Sequence, residues 1–286
     1  MSDAPQKVSL KFLIENYEVL LIDAYGVLMN SEGALPGAVD FIELLNTTGK
    51  PYFILSNGSL YNAEQSQGNY ARRGFKIPKE RIISSGTMIP KWVEKNKFRN
   101  KKFLVLGPEP TKNLIRDAGG LITANEEENP DVLVLGHQTG YDLLAGLEHA
   151  ITLVLHSIEK AKPLPVLVPN PDVIFPKSAN TYGITAGALA LVLSKAVELR
   201  YPDLAFKIDY LGKPYASIFE EARSRAGAGR MLMIGDQMET DIRGSSNFGI
   251  DSALIGTGIS KLSEMSFKSD IVPTYILDGF LSGENL

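Results

Sequence analysis

Eight short apolar runs recur along the chain, and each is closed by a small or polar residue. Val19 to Ile22 leads into Asp23, and Tyr52 to Leu55 into Ser56-Asn57. Phe103 to Leu106 and Val132 to Leu135 end at Gly107 and Gly136, while Val166 to Val168 reaches Pro169-Asn170. Ile208 to Leu211 precedes Gly212-Lys213, Met231 to Ile234 precedes Gly235-Asp236, and Ser252 to Ile255 stops at Gly256. Runs this short and apolar on both faces predict strands buried inside a parallel sheet. The intervening segments follow a helical period. Val39 to Asn46 puts Phe41, Ile42 and Leu45 on one face and is stopped by Gly49. Asp142 to Lys160 carries a longer apolar stripe, and Pro214 to Ala226 opens on a proline suited to a first helical position. Strand–helix alternation throughout predicts an α/β protein with right-handed crossovers.

Composition narrows the possibilities. The 286 residues are 44% hydrophobic and 22% charged, with a formal net charge of −4. A chain of this length holds one large domain or two moderate ones. The cysteine count of zero excludes disulfides, thiolate metal sites and cysteine catalysis, and suits a reducing compartment. A mildly acidic balance gives no footprint for nucleic acid or an anionic membrane. No apolar run approaches the ~20 residues of a membrane span, and Met1 to Glu18 lacks a basic-then-apolar arrangement. A cytoplasmic protein is expected. Lys95 to Lys102, with five basic residues in eight, reads as a solvated helix end.

Four strand ends carry chemistry rather than plain turns: Asp23-Ala24-Tyr25-Gly26, Ser56-Asn57-Gly58, Gly212-Lys213-Pro214 and Gly235 to Asp241. Open α/β sheets place reactive groups at such ends. Singly, each is a common turn or cap; in this order on one chain they are specific. The ordered set resembles the four motifs of the haloacid dehalogenase (HAD) superfamily, in the arrangement of its NagD-like sugar-phosphatase branch, from about Tyr17 to Ser263.

That resemblance implies a modified Rossmann core and an aspartyl nucleophile. By position Asp23 attacks phosphorus, Ser56, Asn57 and Gly58 hold phosphate oxygens, and Lys213 steadies the charge. Asp236 ligates Mg²⁺ together with Asp23 and the backbone carbonyl of Tyr25, and Asp241 supports the ion's water shell. The physics is consistent: two carboxylates ~4 Å apart repel by about 4 kcal/mol at an effective dielectric near 20. Three acids beside a phosphate therefore demand cationic compensation beyond one lysine, and a hard divalent ion supplies it.

The chain departs from the family where phosphatases carry a second aspartate two residues after the nucleophile. Tyr25 stands there, and a phenol is a poor base at neutral pH. Tyr25 is left either to protonate a leaving oxygen or to line the pocket. Asp-Ala-Tyr-Gly is also the form seen in metal-independent 2-haloacid dehalogenases, which are the enzymatic alternative. They want an arginine soon after the nucleophile, whereas the first one here is Arg72. They also insert a cap between the first two motifs, where this chain has no room for one. A third alternative is a phosphometabolite-binding protein disabled by Tyr25.

The stretch from Ser56 to Lys213 is far longer than a crossover needs. It is expected to form a separate α/β domain over residues 88–205, with a core domain over 1–87 and 206–286. An insertion here resembles the C2-type cap of the NagD-like branch, which roofs the site, favours small phosphorylated metabolites and often pairs two copies. The loop Pro169 to Val173 offers Asn170 and Asp172 to the leaving group, or is a rigid turn that touches nothing. His137, His149 and His156 suit turn and helix-surface roles better than a metal site. Trp92, with Ile89 and Val93, suits core packing, and Gly183 to Gly187 suits a tightly packed helix start.

Overall fold

The computed structural model describes residues 5–123, 129–178, 181–256 and 271–280. Ser263, the far end of the resemblance, lies outside them. The chain forms two compact units: Met1–Ser56, Ala63–Ser84 and Lys213–Leu286 make the first, and Asn57–Asn62 with Ser85–Gly212 the second.

Seven strands build the first unit's sheet: β1 (Gln6–Lys7), β2 (Val19–Asp23), β3 (Tyr52–Ser56), β4 (Ile82–Ser84), β12 (Met231–Gly235), β13 (Asp251–Ile255) and β14 (Tyr275–Leu277). Their order is β1-β14-β13-β12-β2-β3-β4, parallel throughout. Every residue of β2 and β12 is buried, as central strands apolar on both faces require. Leu20 and Ile22 pack with Phe41, Ile42 and Leu45 of the helix Ala38–Thr47. Burial of each such side chain contributes roughly 1.5–3 kcal/mol. That helix ends where expected, with Gly49 at φ +69° just past it. The helix after Lys213 spans Ala216–Ala226, so Pro214 is not its first residue; Tyr215, with ψ 147°, is still extended and serves as the cap.

Five parallel strands form the second unit's sheet: β5 (Lys102–Leu106), β6 (Leu121–Ile122), β7 (Val132–Leu135), β8 (Val166–Val168) and β11 (Asp209–Tyr210), in the order β11-β8-β7-β5-β6. An antiparallel pair of strands, β9 (Ile174–Ser178) with β10 (Thr181–Ile184), interrupts the strand–helix alternation. Leu133, Leu135, Ala150, Val154, Leu193 and Val197 share one core. The helix Leu143–Glu159 is capped by Asp142, whose side chain accepts from the Ala145 N–H at 3.0 Å. Thr185 caps the helix Ala186–Arg200, so Gly187 sits in a packed helix start, whereas Gly183 belongs to strand β10. Trp92 is buried with Ile89 and Val93, and its indole donates to Asp209 Oδ2 at 2.9 Å. His137 takes a turn role, its Nδ1 2.8 Å from the Thr139 hydroxyl.

In the first unit, the buried Tyr17 hydroxyl donates to Asp251 Oδ2 at 2.6 Å, tying the residues before β2 to β13. Burial and this bond hold its phenol well above the ordinary pKa. Replacing Tyr17→Phe should cost about 1–2 kcal/mol, seen as a lower urea midpoint at unchanged m-value.

Candidate active site

Strand order reverses between β2 and β12: the chain runs outward through β3 and β4 on one side and through β13 and β14 on the other. Such a switch point opens a crevice at the carboxyl ends of the strands. Asp23 is the last residue of β2, and Asp236 follows the last residue of β12. Asp23 pairs in register with Leu55, so Ser56 stands one step further along β3. Asp241 arrives differently. Residues Met238–Ile242 form a wide, π-type turn in which the Asp241 and Ile242 N–H groups both reach the Gln237 carbonyl, at 3.1 and 3.3 Å. The Gln237 N–H in turn donates to Asp241 Oδ2 at 3.1 Å.

These elements bring four of the expected residues together. Lys213 Nζ donates to Asp241 Oδ1 at 2.6 Å and also to Asp23 Oδ1. Ligand oxygens of Asp23, Asp236 and Asp241 lie within 4.8 Å of one another. Asp23 is 5% exposed, Lys213 2%, and Asp236 and Asp241 0%. Two glycines permit this crowding. A Cβ on Gly26, whose φ is +97°, would strike the Asp236 carboxylate, and one on Gly235 would strike Asp241. Only glycine fits a close approach of this kind.

The electrostatics are unbalanced. Burial alone would lower the Lys213 pKa, but the Asp23 and Asp241 carboxylates outweigh it and hold the ammonium above its ordinary value. Burial pushes Asp241 up to about 6 against the pull of Lys213, and the charge on Asp23 adds to the rise. Among the described residues, with all groups ionised, three carboxylates face one ammonium. A hard divalent cation with oxygen ligands matches both the donor type and the missing charge, so the residues fit such an ion.

The remaining expected residues divide between the units. In the first, Tyr25 is half-buried in the turn leaving β2, where the Gly26 N–H donates to the Met29 carbonyl at 2.8 Å. The second unit holds Asn57, Gly58, Asn170 and Asp172. There Asn57 Nδ2 donates to Asp172 Oδ1 at 2.7 Å, and Asn170 Oδ1 accepts from the Asp172 N–H at 2.9 Å. Sequence reasoning missed Tyr70, a core residue whose phenol is held above its ordinary pKa by burial and then by the Asp23 carboxylate. No motif marks it.

A family model described as haloacid dehalogenase-like hydrolase matches residues 20–120, and a second, HAD-hydrolase-like, matches residues 210–282. The chain belongs to the haloacid dehalogenase-like hydrolases. The first match contains Asp23 and Ser56, and the second Lys213, Asp236 and Asp241. This HAD-like hydrolase is 26% identical over 260 residues to the dihydroxyacetone phosphatase of Corynebacterium glutamicum, covering 90% of this chain and 87% of that protein. A solved structure from Cytophaga hutchinsonii, described as a possible sugar phosphatase of the HAD superfamily, matches with TM-score 0.82 and 25% identity over 98% of this chain and 99% of that one. NagD from E. coli K-12 matches with TM-score 0.71 over 93% and 97% of the two chains; at 22% identity it speaks to the fold. Among the described residues, no helix of this HAD-like hydrolase is long and apolar enough to cross a membrane.

The burial of Asp241 beside Asp23 has a measurable consequence. Asp241 ionises at about 6 in the folded protein against 3.8 ordinarily, so its proton favours the fold. That contribution is complete below pH ~4 and is lost as pH rises to about 6. The metal-free protein should lose roughly 3–6 °C of Tm across this range from this group, and Mg²⁺ should raise Tm more at pH 7.5 than at pH 5. Asp236→Asn should leave the metal-free Tm at pH 7.5 undiminished while abolishing the Mg²⁺-induced rise, both read by differential scanning calorimetry.

Proposed function

We propose that this chain is a Mg²⁺-dependent phosphatase that hydrolyses a small phosphorylated metabolite, a sugar phosphate or similar, through an aspartyl-phosphate on Asp23. The observation that carries the proposal is the buried group of Asp23, Asp236, Asp241 and Lys213 at the sheet's switch point. The names of the relatives, a dihydroxyacetone phosphatase and a sugar phosphatase, support the substrate class.

Asp23, Asp236 and the Tyr25 backbone carbonyl would hold the ion, with Asp241 behind its water shell. When bound, it neutralises charge on the phosphoryl oxygens and the carboxylates. The protein's own groups do the rest. An Asp23 carboxylate oxygen bonds to phosphorus while the phosphorus–oxygen bond to the leaving group breaks. The Tyr25 hydroxyl donates its proton to the leaving oxygen and recovers one from the water that next attacks phosphorus, which frees phosphate and restores the Asp23 carboxylate. Lys213, the Ser56 hydroxyl and the backbone N–H groups of Asn57 and Gly58 stabilise the phosphoryl oxygens through both steps. Asn170, whose Oδ1 is already engaged by Asp172, keeps its amide N–H₂ for the leaving group. Asp236 and Asp241 weigh against a metal-independent dehalogenase, because displacement at carbon gains nothing from two further buried carboxylates beside the nucleophile.

The test is a screen of phosphate monoesters with Mg²⁺ and with EDTA. Phosphate release should require Mg²⁺ and fall at least ~10³-fold in Asp23→Asn. Release unchanged in that variant, or halide released from 2-haloacids in EDTA, contradicts the proposal. Because a positioned carboxylate is the better acid–base group, Tyr25→Asp should raise kcat roughly 10- to 100-fold.

A further inference from the structure

Asp172 is expected at the leaving group, yet one oxygen of its carboxylate is held by Asn57. Oδ1 accepts from Asn57 Nδ2 at 2.7 Å across 115 residues of sequence, and Asn57 is only 7% exposed. The surroundings are built around this pair. The Gly187 N–H donates to the Asp172 carbonyl at 3.0 Å, and a Cβ on Gly187 would strike the carbonyls of Pro171 and Asp172. A Cβ on Gly212 would strike Asn57 Oδ1 and come within 2.7 Å of Pro171 Cδ and Ser85 Oγ. The rest of the Asn57–Ser59 segment is strapped down as well. The Gly86 N–H donates to the Gly58 carbonyl at 3.1 Å, and the Ser59 hydroxyl to the Gly136 carbonyl at 3.3 Å. Asn57 and Gly212 are the chain neighbours of Ser56 and Lys213, the last and first residues of their stretches of the first unit.

The geometry points to Asp172 as a positioning residue: its carboxylate fixes the Asn57 side chain and, through it, the Asn57 and Gly58 backbone N–H groups, and does not touch the leaving group. This deepens the proposed function and rests on Asn57 and Gly58 holding phosphoryl oxygens. A group that acts on the phosphoryl side affects every substrate alike, and small displacements of such a group cost up to about a hundredfold in rate.

Asp172→Asn keeps an oxygen that can accept from Asn57, whereas Asp172→Ala does not. Asp172→Asn should stay within about threefold of the parent in kcat. Asp172→Ala should lose roughly 10- to 100-fold in kcat by the same factor for every phosphomonoester, with KM little changed. Asn57→Ala removes the bond from its other end and serves if Asp172→Ala does not fold; the double variant should be no worse than the worse single one. Hydrogen exchange at residues 57–62, read by mass spectrometry, should quicken in both alanine variants and not in Asp172→Asn. Equal damage from Asp172→Asn and Asp172→Ala, a loss that varies with the leaving group, or unchanged exchange overturns the inference. If no phosphomonoester is turned over, the proposed function fails, and the exchange measurement still decides whether Asp172 orders this segment.

Discussion

Three carboxylates buried against a single ammonium, among the described residues, set the terms for this protein. Asp23, Asp236 and Asp241 sit at 5%, 0% and 0% exposure with Lys213 bonded to two of them. At separations near 4 Å, carboxylates in a protein interior repel by several kcal/mol. One lysine does not balance three. The arrangement is stable at neutral pH with further positive charge; in the protein alone burial, with the charge on Asp23 behind it, raises Asp241 to about 6 against the pull of Lys213. A phosphoryl group enlarges the deficit further, so the need for a cation and the capacity to transfer phosphate have one origin.

The sheet supplies the geometry. Parallel order with reversal between β2 and β12 places Asp23 and Asp236 at neighbouring strand ends without distorting either strand. The π-type turn at Met238–Ile242 then re-aims the chain so that Asp241 faces Lys213 and not solvent. Gly26 and Gly235 hold the space in which the carboxylates meet. A side chain at either position removes the room the site needs, which is why small residues are as necessary there as charged ones.

Much of this is written locally in the chain. β2 and β12 are short apolar runs ending in the chemistry they carry, so strand, direction and site residue are read from the same few positions. Gly49 marks its helix end for an equally local reason. What could not be read is non-local or runs against propensity. The β9–β10 pair contains Pro176 and Gly183, residues that argue against strands, and is held by its antiparallel pairing. The edge strands β1 and β4 are only two and three residues long, too short for a periodic signal. Pro214 fits a helix start by type, but Tyr215 stays extended and delays the helix to Ala216. Asp172 was legible as a strand-end polar residue and illegible as the partner of Asn57, because nothing in the sequence near 172 refers to position 57.

The cation that these carboxylates demand can be located directly. Crystals soaked in Mn²⁺ and recorded at its absorption edge should show one strong anomalous peak in contact with the carboxylates of Asp23 and Asp236, with the Lys213 ammonium still bonded to Asp23. Saturating Mn²⁺ with no peak among these acids, or Lys213 turned away from Asp23, would contradict the account.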